Sequence, residues 1–161
     1  MKSASGAGTC DSNAISAFET ATRMLVGLAS RSLAGEPVTL PQFRLLAALA
    51  EQGPLPSSRA AAALGLNASS VTRLGDRLAL GGLISRTREP DKRSVVTLAL
   101  TPAGDQLVQR VRASRRDTLA RLLAQLDPRE VDTAAKTLQH LAALAADDEE
   151  LGDHLTPYSH G

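Results

Sequence analysis

Apolar residues recur along most of the chain at three- and four-residue steps, the period of a helix buried on one side. From 12 to 34, Ile15, Phe18, Thr22, Leu25, Val26, Ala29 and Leu33 fall on one such stripe, which Gly35-Glu36-Pro37 closes. Thr39-Leu40-Pro41-Gln42 has the composition of a capping box with Pro41 in the first turn, so a second helix is predicted from there to about Glu51, ended by Gly53-Pro54. Two short helices follow near 57–64 and 68–80, separated by Gly65-Leu66-Asn67, with Asn67 as cap of the second and Gly81-Gly82 as its stop. At 83–88 and 95–100 the period shortens to that of a strand: Val96, Leu98 and Leu100 alternate, and 89–94 supply turn chemistry. Thr101-Pro102 opens a long helix carrying Leu107, Val108, Val111, Leu119, Leu122, Leu123 and Leu126, and Asp127-Pro128 restarts the chain into a last one with Val131, Ala134, Leu138, Leu141 and Leu144. The pattern predicts a mainly α chain, six helices with one β-hairpin after the fourth.

Two helices joined by a short glycine-containing turn, as at 57–80, form a helix-turn-helix. On the second, Val71, Leu74 and Leu78 make the buried stripe, and helical steps place Ser69, Ser70, Thr72, Arg73, Asp76 and Arg77 away from it. Hydroxyls and guanidinium groups on a short helix suit the major groove, where one arginine can make two hydrogen bonds to a guanine. A solvated surface would carry the same residues, so the helix alone does not decide. The hairpin beside it does. Arg88, Lys92 and Arg93 lie at or near its turn, and a basic wing next to a helix-turn-helix reaches phosphates or the minor groove. Asp76 on the helix and Arg86 on the first strand are expected to form an ion pair that fixes wing against helix.

Charge is distributed to match. The formal net charge is only +1, yet 55–101 carry seven basic residues against three acidic, 102–126 five against two, and 127–161 two against eight. A basic middle with an acidic tail suits a domain that meets a polyanion along one surface. With Phe18, Phe43 and Tyr158 as the only aromatics, the sequence argues against a platform for stacking single-stranded bases, and double-stranded DNA is the polyanion expected. The apolar run at 45–50 is far short of the roughly 20 residues that span a bilayer. No apolar leader follows Lys2, and a single cysteine, Cys10, suits a reduced compartment, so a cytoplasmic protein with no membrane partner is expected.

The motifs together resemble the MarR family of winged-helix transcription regulators. The resemblance is carried by Leu40-Pro41-Gln42-Phe43-Arg44-Leu45-Leu46, Leu64-Gly65-Leu66, Ser69-Ser70-Val71-Thr72-Arg73-Leu74, Asp76-Arg77-Leu78 and Gly82-Leu83-Ile84-Ser85-Arg86. It continues through Pro90-Asp91-Lys92-Arg93-Ser94 and Leu100-Thr101-Pro102-Ala103-Gly104, covering roughly 39–107. It implies a homodimer built on the first, fifth and sixth helices. It also implies control of a near-palindromic operator, as a repressor or an activator, with release by a small, often phenolic, ligand. Two positions depart from the pattern: Ala60 stands where a leucine is usual, and Gly75 interrupts the recognition helix.

The chain accordingly divides into a lead-in at 1–11, an N-terminal dimerisation helix at 12–36, a winged helix-turn-helix lobe at 37–101, C-terminal dimerisation helices at 102–146 and an acidic tail at 147–161. A small aromatic or anionic ligand is expected in the cleft between lobe and dimer helices, bordered by Met24, Leu28, Phe43, Ala47, Arg112 and Arg115. Arginines on a long helix are also commonly solvated or paired. No nucleophile elbow, zinc-protease motif or phosphate loop is present, so an enzyme is not expected, nor is a cofactor. Cys10 has no aromatic or basic neighbourhood to activate it, and the spacing of His140, His154 and His160 fits no standard metal site. A winged helix that binds protein instead of DNA is the remaining alternative.

Overall fold

A computed structural model of the chain describes residues 11–88 and 95–147. Its elements run α1 (Ser12–Arg31), α2 (Leu40–Gln52), β1 (Leu55–Pro56), α3 (Ser57–Leu64), α4 (Ala68–Leu80), β2 (Ile84–Arg88), β3 (Val96–Leu100), α5 (Pro102–Leu123) and α6 (Pro128–Asp147).

Local chemistry sets most of these boundaries. Asn67 accepts from the Ser70 N–H at 2.8 Å and starts α4, while the Thr101 hydroxyl accepts from the Gly104 N–H at 3.1 Å and starts α5. At α2, Gln42 Oε1 accepts both the Thr39 N–H at 2.7 Å and the Thr39 hydroxyl at 3.0 Å. The threonine and glutamine side chains thus close the capping box that the sequence suggests. Gly65 ends α3 at φ 62°, a left-handed value that favours glycine. The hairpin strands begin one residue later than the alternation implied.

One strand escapes the sequence pattern. Leu55 and Pro56 pair antiparallel with Leu98 and Thr97, giving a three-stranded sheet of order β1-β3-β2. Two residues are too few to show a period of two, so only tertiary pairing reveals them. The hairpin register sets Ile84 opposite Leu100, Arg86 opposite Leu98 and Arg88 opposite Val96.

The core forms around α2, whose Phe43, Leu45, Leu46 and Leu49 are all at most 2% exposed. Val71 and Leu78 of α4, Leu98 of β3, and Leu107, Val108 and Val111 of α5 close over it. Ala60 is fully buried in the same cluster, so the small residue at this position is packed over. The outer helices differ. α1 buries only Leu28, and α6 buries no residue. Among the described residues no helix is long and apolar enough to cross a membrane.

Candidate nucleic-acid interface

Burial of Val71, Gly75 and Leu78 fixes which side of α4 faces outward. Ser69, Thr72, Arg73 and Arg77 are exposed there, and Ser70 is half-buried. Two of the hydroxyls are already oriented. Ser69 donates to Asn67 Oδ1 at 2.8 Å, and Thr72 donates to the Ala68 carbonyl at 2.9 Å. Their protons are engaged internally, so both oxygens offer acceptor lone pairs to a partner. Arg73 and Arg77 form no ion pair among the described residues, which leaves two guanidinium forks for an external acceptor.

The glycine inside this helix has a packing setting. A Cβ at Gly75 would meet Leu98 and Ile84 side chains at 3.7–3.9 Å, ordinary contact, so α4 lies close on the sheet without strictly requiring glycine.

The strand beside α4 ties to it directly. Arg86 Nη1 contacts Asp76 Oδ1 as an ion pair, with the arginine side chain 27% exposed and the carboxylate 56%. At that exposure the pair is worth about 0.5–1 kcal/mol. We expect a double-mutant cycle on Asp76→Ala and Arg86→Ala to return coupling of that size in operator affinity; additive losses would exclude a positioning role. Arg88, at the end of β2, is exposed. Lys92 and Arg93 lie outside the described residues, as do Cys10, His154 and His160; His140 is exposed on α6.

The residues expected to border a ligand cleft are only partly brought together. Leu28, Phe43 and Ala47 are buried, and Met24 is exposed on α1. Arg115 covers Phe43, its guanidinium 4.5 Å from the ring centroid, and Arg112 pairs with Glu51. A groove of about 400 Å³ lies along α5, lined by Arg112, Arg115 and Arg116 with Leu119, Ala120 and Leu123. Glu51 and Ser32, which engage these arginines, carry no local signal, because they sit 61 and 83 residues away in the chain.

A wing packed against an outward-facing, arginine-bearing helix is an arrangement for duplex DNA. Known proteins share it. The profile of the MarR family matches residues 38–95. The transcriptional repressor MdtR of Bacillus subtilis is 36% identical over 119 residues, 74% of this chain and 77% of the repressor. The chain belongs to the MarR family. This MarR protein also superposes on solved structures: RV1404 from Mycobacterium tuberculosis matches with a TM-score of 0.77 and 33% identity, over 86% of this chain and 97% of that one. A mutant MepR from S. aureus, solved bound to an oligodeoxyribonucleotide, shares the fold with a TM-score of 0.62 at 22% identity, over 78% and 93% of the two chains. The MarR protein is thus a DNA-binding transcriptional regulator; its relatives are regulators and not enzymes.

Proposed function

We propose that the chain is a homodimeric cytoplasmic repressor of a near-palindromic operator, released by a small aromatic or anionic ligand. The observation that carries the dimer is the last helix. α6 spans 20 residues and buries none of them, although Leu138, Leu141 and Leu144 share one side of it. In proteins such an amphipathic helix draws most of its stability from packing its apolar face, which here lies uncovered. Ile15, Phe18, Met24, Leu25 and Val26 of α1 are likewise about half exposed, as are Leu122 and Leu123 at the end of α5 and Leu126 just beyond it. An apolar groove of about 320 Å³ between Ala17, Phe18 and Ala21 and Ala134, Thr137 and Leu138 offers a seat for a second copy. The relative MdtR, itself a transcriptional repressor, supports the repressor part of the reading.

In this reading Ser69, Ser70, Thr72, Arg73 and Arg77 enter the major groove, and Arg88, Lys92 and Arg93 reach phosphates or the minor groove. Two recognition helices then engage half-sites about 10–10.5 base pairs apart. Selection of bound duplexes from a random pool tests it: an inverted repeat at that spacing is the expected product. Binding of random and selected DNA with equal affinity would favour the protein-binding alternative instead. We expect Leu138→Glu with Leu141→Glu to turn a dimer into a monomer in sedimentation equilibrium, because two buried charges oppose roughly 800 Å² of interface per partner. A wild-type chain that sediments as a monomer at micromolar concentration overturns the dimer.

The ligand part rests on the α5 groove, where guanidinium groups stand beside leucines. Aromatic carboxylates at millimolar concentration should weaken operator binding. Unchanged affinity across such a panel removes ligand release from the proposal.

A further inference from the structure

The core holds α5 only as far as Val111. Leu107, Val108 and Val111 are at most 1% exposed, whereas no residue of the helix from Arg112 onward is buried. Hydrophobic contact therefore anchors only the first half of α5, and contacts around its middle are left to steady the second half against bending or tilting.

Three arginines stand at the point of departure. Arg110 reaches Glu36, in the α1–α2 connection, through two hydrogen bonds: Nε to Oε1 at 3.2 Å and Nη2 to Oε2 at 3.1 Å. Hydrogen bonding to Glu36 raises the Arg110 pKa further above a range in which the guanidinium is charged in any case. Arg112 pairs with Glu51 in the last turn of α2. Arg115 donates through Nε to Ser32 Oγ at 2.7 Å and through Nη2 to the Ala29 carbonyl at 3.3 Å, and lies over Phe43. Helical geometry places Arg110 and Arg112 about 100° to either side of Val111, with Arg115 about 40° from it one turn further along. The outer half of α5 is thus braced on both flanks and along its inner edge. The braces run to three different segments of α1, α2 and their connection.

We infer that Arg110, Arg112 and Arg115 are positioning residues that fix the exit angle of α5, and through it the half-site spacing that the protein accepts. The inference rests on the homodimeric reading above, in which the exposed leucines beyond Val111 meet a second copy. Small angles suffice. From Val111 to Leu123 the helix rises about 18 Å, so a swing of about 10° moves its end by roughly 3 Å, close to the 3.4 Å rise of one base pair. Exposed ion pairs add little to stability, so the effect should appear in spacing discrimination rather than in folding.

The test uses the full chain and a set of duplexes carrying the selected half-sites at their selected spacing, one base pair closer and one base pair further apart. Wild-type protein should prefer the selected spacing by about tenfold. Arg110→Ala with Arg112→Ala should reduce that preference to about twofold, with a smaller change in affinity for scrambled DNA. If the alanine pair unfolds, charge exchange carries the test: Arg112→Glu should flatten the preference and Glu51→Arg added to it should restore it. A variant that keeps the wild-type preference, or loses affinity equally at all three spacings, overturns the bracing role while leaving the dimeric regulator intact. Wild-type protein indifferent to spacing overturns the dimeric reading and the bracing role together.

Discussion

Replacing Arg73 by alanine is expected to lower operator affinity by about 1–3 kcal/mol per half-site, hence by about 30-fold to over ten-thousand-fold for a dimer engaging two. The reason is its position. It projects from the middle of α4, exposed and with no ion pair among the described residues, while Val71 and Leu78 lock the other side of the helix into the core. The loss should be confined to one symmetric pair of operator positions, where discrimination among the four bases flattens. Arg93→Ala should behave differently, weakening operator and random DNA alike and reducing the salt slope by roughly one unit for each phosphate left without its cation. Salt titrations of both variants on operator and scrambled duplexes make the comparison. Equal losses on both duplexes for Arg73→Ala would remove it from base readout.

Gly104→Ala should destabilise the fold by about 3 kcal/mol, at the upper end of what overpacking usually costs. Gly104 lies in the first turn of α5 and is buried. A Cβ there would fall inside the van der Waals shell of the Leu83 carbonyl oxygen and 3.0 Å from Leu100 Cδ2. The oxygen cannot turn aside freely, because it accepts the Thr101 N–H at 3.1 Å. The Thr101 hydroxyl in turn donates to the Gly82 carbonyl at 2.7 Å. The start of α5 is therefore bonded to the segment between α4 and β2 at the very place where the methyl would intrude. Urea unfolding should show a lower midpoint at unchanged slope. A wild-type midpoint would mean that this junction yields at no cost.

How far the fold is legible in the sequence follows from how local its determinants are. α3 and α4 begin and end where the pattern places them, because Asn67 and Gly65 act on their immediate neighbours. The Leu-Thr-x-x-Gly motif at 100–104 is legible as a motif, but its reason is not, since the group that requires glycine sits on Leu83. β1 is invisible for the same reason, as its two residues are a strand only by virtue of β3. In the candidate site, the outward face of α4 follows from helical periodicity alone. The partners of Arg112 and Arg115 do not, because periodicity says which residues share a side of α5 and nothing of which carboxylate or ring lies opposite. The sequence allows these arginines to be paired or to border a ligand cleft, and in the fold both engage protein groups.

The order of the small sheet has a consequence for self-association. Its two outer strands are the places where a strand from another molecule could add. One of them, β1, is only two residues long and ends in Pro56, which has no N–H to offer. The other, β2, carries Arg86 and Arg88, so an incoming copy would bring like charges alongside. Among the described residues, the edges of this sheet thus offer an incoming copy no ready template for fibre-like growth. In the proposed dimer, association is thereby left to the helical surfaces, which can close on one another and stop.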